Sequence, residues 1–406
     1  MLGEIPVILM LLGIAAYIVL AGADFGAPFW ALTARGERAA EIREQTHRSM
    51  APVWEANHVW LIFVLVVCWT AYPEVFGSIF STLWIPLLLA TIGILMRATA
   101  YVVSGIVDRT SVEWVSAISS ILTPFMLGTV IGAIAGGRVP VGNAAGDPIT
   151  SWLNPVSIAI GVLAVAFCAY LAAIYLAADS QRNGETGLAE AFRTRAIGAG
   201  VVTGLLALAG LGVMARDDSS IYDGLISGAG LVAVIISGLA GLTAILLLAT
   251  RRYPAARVAG ALATVAVVAG WGLAQSPEIL PGLTIDQAAA PDNVLIALLF
   301  SIAVGLLVLI PSMILLYGLV LGGRFDADPA KAGGILSDPE PGSRPVERPG
   351  RAAIAVAVAL FGIGALVNIA TDGGFLNYLA VIMLLAGIAC GSLVLARSLL
   401  ANLQEQ

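Results

Sequence analysis

The sequence predicts an all-α polytopic membrane protein, and three observations carry that prediction. Hydrophobic residues make up 59% of the 406 positions and charged residues only 11%, whereas a soluble globular chain is about 25% charged. The apolar residues gather into runs long enough to cross a bilayer, which takes about 20 residues per helix. No polar stretch is long enough to bury a core of its own, so no soluble domain is expected.

Eleven helices are predicted from the apolar runs, near 5–31, 52–72, 79–103, 115–136, 155–178, 194–215, 223–250, 256–273, 294–321, 352–370 and 375–397. The first run, from Ile5 to about Trp30, lacks a basic leader and exceeds the apolar core of a signal peptide, so it reads as a true span. Pro52 and Pro155 fall in first turns, where a missing N–H costs nothing. Forty-five glycines, many inside spans as in GLLALAGLG, point to close helix packing. No phosphate-binding glycine loop and no strand are expected.

Charge placement orients the chain. Seventeen of the twenty basic residues fall in the connections after the first, third, fifth, seventh and ninth helices or just after the eleventh. Arg138 and Arg216 alone fall on the opposite side. The excess of cations marks the cytoplasmic face, so the N-terminus is expected outside and the C-terminus inside. Residues 322–350, rich in Pro, Gly and charge, read as a flexible cytoplasmic linker. They separate a membrane domain over 1–321 from an added two-helix segment over 351–406. The outer connection AQSPEILPGLTIDQAAAPDN is acidic and proline-punctuated, and is expected to fold over the outer surface.

The remaining basic residue, Arg97, lies inside the third predicted helix, about six residues or roughly 9 Å from its cytoplasmic end. Asp24 lies near the cytoplasmic end of the first helix, and APVWEANHVWLIF opens the second with Trp54, Glu55, Asn57 and His58. Three helices thus bring Asp24, Glu55 and Arg97 to about one depth. Ionisable groups there are costly and mark proton or ligand handling. Glu55 and His58, three apart, share a helix face. Arg97 pairing with Asp24 to tie two helices, or reaching to the surface, is the structural alternative. For Glu55 the alternative is a solvated carboxylate at the membrane edge.

Cys68, Cys168 and Cys390 lie far apart inside apolar runs, so no disulfide, iron–sulfur or zinc site is suggested. With two histidines, His47 and His58, the chain is not expected to hold several haems by itself. A packing or relay role for His58 is favoured over haem ligation. Trp54, Trp60 and Trp69 read as interfacial or packing aromatics. Nothing points to nucleic acid.

The segments ADFG (23–26), APVWEANHVWLIF (51–63), TAYP (70–73), MRATAY (96–101), FRTRA (192–196), GWGLAQSPEILPGLTIDQAAAPDN (270–293) and LIPSMILLYGL (309–319) resemble subunit II of the cytochrome bd-type quinol oxidases, including the cyanide-insensitive branch. The resemblance covers about residues 1–325. It implies nine core helices, as two four-helix bundles plus one helix, with two C-terminal helices added here. It also implies a heterodimer with oxidase subunit I in a bacterial inner membrane. Subunit I would hold haem b and haem d, take quinol from the membrane pool and reduce oxygen to water with cytoplasmic protons.

This chain would carry no haem and at most a structural quinone. By the same resemblance, Trp54 and Glu55 match a pair whose carboxylate lines a proton path, which the residue reading extends to His58, while Asp24 and Arg97 support haem assembly in the partner. Relatives often carry a further glycine after the DFG sequence. Here Ala27-Pro28 follow, which predicts a reshaped end to the first helix. A secondary transporter coupled through Asp24, Glu55 and Arg97, or a membrane scaffold, is the alternative reading.

Overall fold

The computed structural model describes residues 2–50, 54–103, 109–217 and 220–321, and a few helical positions between 356 and 386. It divides into two units, Met1–Asp326 and Ala327–Gln406. The predicted linker and the two C-terminal helices lie outside the described residues, apart from those few positions.

In chain order the first unit contains α1 (Glu4–Thr33), α2 (Ala39–Met50), α3 (Trp54–Ala71), α4 (Pro73–Thr82), α5 (Trp84–Val103), α6 (Arg109–Ala135), α7 (Pro155–Arg182) and α8 (Thr186–Arg216). It continues with α9 (Ser220–Leu225), α10 (Gly228–Ala249), α11 (Tyr253–Gln275), β1 (Glu278–Leu280), β2 (Leu283–Thr284), α12 (Ile285–Ala288) and α13 (Asp292–Leu321). Seven of these helices are long and apolar enough to cross a membrane, or eight if α3 and α4 are taken as one bent span. The chain is a multi-pass membrane protein.

Two groups of four long helices form the body. The first is α1, α3, α5 and α6; the second is α7, α8, α10 and α11, and they join where α1 and α6 meet α7. α13 rests on α3. The join is close because Gly26 lacks a side chain: a Cβ there would lie 1.9 Å from the carbonyl oxygen of Cys168 on α7. Trp30 adds a bond across the same seam, its indole N–H donating to the Ala169 carbonyl at 2.7 Å.

Ion pairs link helix ends that the alternating topology puts on one side. Arg138, after α6, grips both oxygens of Asp217, after α8, at 2.9 and 3.0 Å. At the other ends Arg257 of α11 donates to Asp179 of α7 at 3.0 Å and lies over the Tyr175 ring.

Three expectations need correction. The run over 79–103 is not one helix. Pro73 starts α4, which is turned 120° from α3, and α5 begins only at Trp84. A proline disfavours helical backbone in the residue before it, and Tyr72 accordingly sits at φ −138°, ψ 67°. The run over 223–250 is likewise divided, into α9 and α10, at Gly228 with φ +52°.

The connection after α1 contains a further helix, α2, whose Ile42, Gln45 and Thr46 form one buried face. Strands are present after all: β1 and β2 pair antiparallel through Glu278 with Thr284 and Leu280 with Leu283. Pro281 and Gly282, at φ +75°, turn the chain between them, a combination suited to a type II turn.

The Ala27-Pro28 departure lies within the first helix. Pro28 is buried inside α1, which continues to Thr33.

Candidate functional site

Asp24, on α1, is the centre of a buried polar cluster and is itself buried. Its carboxylate accepts a 2.6 Å hydrogen bond from the side-chain amide of Asn57, three residues into α3. Its main-chain carbonyl accepts a hydrogen bond from the Nη2 of Arg97 on α5. The other guanidinium nitrogen of Arg97 reaches the Ser120 hydroxyl on α6 at 3.4 Å, and the guanidinium carbon lies 5.0 Å from the centre of the Phe25 ring. Four helices therefore meet at one carboxylate and one guanidinium.

The local sequence explains the geometry. An α-helical carbonyl is normally occupied by the N–H four residues on. For Asp24 that residue is Pro28, which has no N–H, so the carbonyl is open to a donor from another helix. Ser120 likewise precedes Pro124 by four residues in α6. Arg97 thus bridges the free carbonyl on α1 and a hydroxyl on α6.

His58, one residue beyond Asn57, lies between two aromatic edges. Its ring centre is 5.6 Å from Tyr17 and 5.7 Å from Phe25, both at steep angles. Tyr17, Ala21, Phe25 and Cys168 form a buried cluster with Trp60, Leu61, Ile94 and Leu127 against it. Trp69 is largely exposed and stacks on Phe76 of α4.

The structure thus brings Asp24 and Arg97 together, as depth counting along the helices predicted. Arg97 meets the Asp24 carbonyl, while the carboxylate takes Asn57. His58 joins the same cluster. The side chains of Trp54 and Glu55 lie outside the described residues; their backbone opens α3. Tyr17, Phe25 and Ser120 were missed because each is an ordinary residue on an apolar helix. The spacing of Tyr17 from Asp24, two helical turns on one face, was the available signal. Among the described residues no group of three or more His, Cys, Asp or Glu side chains is arranged to hold a metal ion.

A bundle of apolar helices that keeps an aspartate, an amide and a guanidinium in its interior defines a polytopic membrane protein with buried polar machinery. The family model for cytochrome bd terminal oxidase subunit II matches residues 2–320, and the chain belongs to that family.

One relative, a Bacillus subtilis protein named provisionally as a cytochrome bd menaquinol oxidase subunit II, is 24% identical over 235 residues, covering 55% of this chain and 67% of the relative. The Bacillus subtilis cytochrome bd ubiquinol oxidase subunit 2 is 26% identical over 157 residues, 37% of this chain and 46% of that protein. The Escherichia coli cytochrome bd-I ubiquinol oxidase subunit 2 is 28% identical over 184 residues, 41% of this chain and 45% of that protein. The aligned part is therefore less than half of two of these relatives. A chain in the structure of bd oxidase from Geobacillus thermodenitrificans shares the fold at a TM-score of 0.66 and 14% identity, covering 81% of this chain and 99% of that one.

Proposed function

We propose that this chain is the haem-free subunit II of a bd-type terminal quinol oxidase, paired with a subunit I that holds haem b and haem d. The complex would oxidise membrane quinol and reduce oxygen to water, taking its protons from the cytoplasm. The observation that carries this reading is the family match over residues 2–320, which includes every member of the Asp24–Asn57–Arg97 cluster.

Glu55 stands at the cytoplasmic mouth of the proton path in this reading, with Trp54 and His58 beside it. Asn57, two residues on, ties that end of α3 to Asp24. Asp24 and Arg97 hold α1, α5 and α6 in register for assembly with the haem-bearing partner. The cation distribution supports an outer N-terminus and a cytoplasmic C-terminus in a bacterial inner membrane.

Large apolar side chains are exposed on many helices, among them Phe300 and Leu307 of α13, 71% and 76% exposed, and Trp69 of α3, 65% exposed; subunit I would cover part of this surface. Lipid covers what subunit I does not, and a structural quinone would lie among such aromatics.

Glu55→Gln in the assembled oxidase tests the path. Slowed oxygen consumption with full haem content is expected. Unchanged consumption with full haem content rejects the role of Glu55.

A further inference from the structure

We propose that the exposed seam between α8 and α10 binds one anionic phospholipid, its headgroup phosphate held by Arg193 and Arg251 and an acyl chain lying in a notch at Gly204 and Gly241.

The headgroup end begins with an arginine where glycine is the easier residue. Just past the end of α10, the Arg251 amide donates to the Leu248 carbonyl at 3.0 Å and the Arg252 amide to the Leu247 carbonyl at 2.8 Å. That pair of bonds calls for a left-handed residue one place beyond the helix, which favours glycine. Arg251 takes the place at φ +60°. Its Nε donates to Glu190 of α8 at 3.3 Å, with the arginine side chain 68% exposed. An ion pair so exposed adds little stability, so it does not account for an arginine in that backbone position.

Glu190 is also engaged by a second guanidinium. Arg193, one turn along α8, donates to its Oε1 through Nε at 2.9 Å and through Nη2. The exposed Arg252 follows Arg251 in the chain. Arg193, Arg251 and Arg252 therefore share this corner with a single close carboxylate, and positive charge is in excess. A phosphate group complements that excess, and its oxygens suit the guanidinium fork. A zwitterionic headgroup would bring its own ammonium against the same arginines.

The seam below supplies the place for the chain. α8 and α10 run antiparallel, since Glu190 meets Arg251 at one level and Gly200 meets Ile245 further along. A Cβ on Gly200 would come within 3.2 Å of the Ile245 side chain. One turn deeper on each helix are Gly204 and Gly241, and an added Cβ at either meets nothing within 4 Å. The helices thus touch at Gly200 and leave space at the next turn, beside the exposed Leu205 and Leu242. Gly204 is roughly 16 Å along α8 from Arg193 at the helical rise, close to half of the ~30 Å hydrocarbon core. A lipid with its phosphate at Arg193 therefore runs an acyl chain past the notch. Both helices are apolar and long enough to cross a membrane, and the site rests on that alone, independently of the oxidase reading.

Native mass spectrometry tests the site on the full chain, with any partner that co-purifies, released from nanodiscs holding equal amounts of phosphatidylglycerol and phosphatidylethanolamine. The unaltered protein should retain phosphatidylglycerol several-fold over phosphatidylethanolamine. Arg251→Gly removes the guanidinium and suits the left-handed backbone, so the fold is kept while phosphatidylglycerol retention falls several-fold. Gly204→Leu fills the notch from a position with open space and should lower retention as well. Equal retention of the two lipids by the unaltered protein, or unchanged retention in Arg251→Gly, overturns the proposal. A loss in Arg251→Gly with none in Gly204→Leu would mark a site for free phosphate and overturn the lipid assignment.

Discussion

Pro28 stands four residues after Asp24, and the amide it lacks is the one that would otherwise occupy the Asp24 carbonyl. Arg97 uses that carbonyl instead. A residue that looks like a helix breaker thus provides a docking point for a buried guanidinium. The helix continues through it because the released carbonyl finds a donor on another helix.

Arg97→Lys tests this arrangement. A single ammonium on a flexible stem cannot span the Asp24 carbonyl and the Ser120 hydroxyl as a planar guanidinium does. The substitution should cost about 1.5–3 kcal/mol, the range for a hydrogen bond to a charged group. Thermal unfolding of the purified protein in detergent measures it, and an unchanged midpoint would remove Arg97 from the structural account.

Pro28→Ala should stabilise α1 by much less than the roughly 3 kcal/mol that separates alanine from proline in a helix interior. The restored amide competes with Arg97 for the same carbonyl. In an Arg97→Met background that competition is gone, so the gain from Pro28→Ala should be larger. The same unfolding assay on the two single variants and the double variant gives the coupling.

Asn57→Leu removes the amide that the Asp24 carboxylate accepts from at 2.6 Å. A buried carboxylate left without that donor should cost about 3 kcal/mol or more. Asp24→Asn, which keeps the shape and an acceptor oxygen, should cost less. Equal losses from the two would mean that packing rather than charge sets the penalty.

Gly26→Ala should be more damaging than an added methyl usually is, because its Cβ would sit 1.9 Å from the Cys168 carbonyl oxygen. Overpacking commonly costs about 1–3 kcal/mol and here requires α1 and α7 to separate. The expected result is strongly reduced accumulation in membranes. Gly36→Ala is an informative comparison: its surroundings are open, but φ is +84°, so its cost is conformational.

Outside the membrane spans, Asp147 offers a pH prediction. Its carboxylate accepts from the amides of Thr150 and Ile149 at 2.7 and 2.9 Å, which holds it below its ordinary value. The folded value is lower than the unfolded one, so the contribution is present above about pH 4 and is lost as the pH falls through the folded value. Hydrogen exchange at Ile149 and Thr150 should quicken in that acidic window. Asp147→Ala should show the faster exchange at neutral pH, after correction for intrinsic rates.

Much of this molecule was legible in its sequence because hydropathy and charge placement are global signals. Long apolar runs located most of the spans, and depth counting from their ends brought Asp24 and Arg97 together. The failures are local. The TAYP segment contained the signal for the 120° break in Pro73, but the apolar run beginning at 79 concealed where the next long helix starts. The Pro281-Gly282 turn was visible as a dipeptide, and its strands are too short for alternation to reveal them. The hydrogen bond from Arg97 to a carbonyl was hidden because main-chain acceptors have no residue letter. Pro28 was the clue, four residues after its effect.

The central claim is that this chain works as the haem-free half of a bd-type oxidase. Its most direct test is to purify the full chain with its membrane partners and record a reduced-minus-oxidised haem spectrum. The account predicts haem bands of the b and d type from a co-purifying subunit, lost from membranes when this chain is deleted. A stable chain that brings down no haem-bearing partner, in membranes whose haem spectrum is unchanged by its deletion, would contradict it.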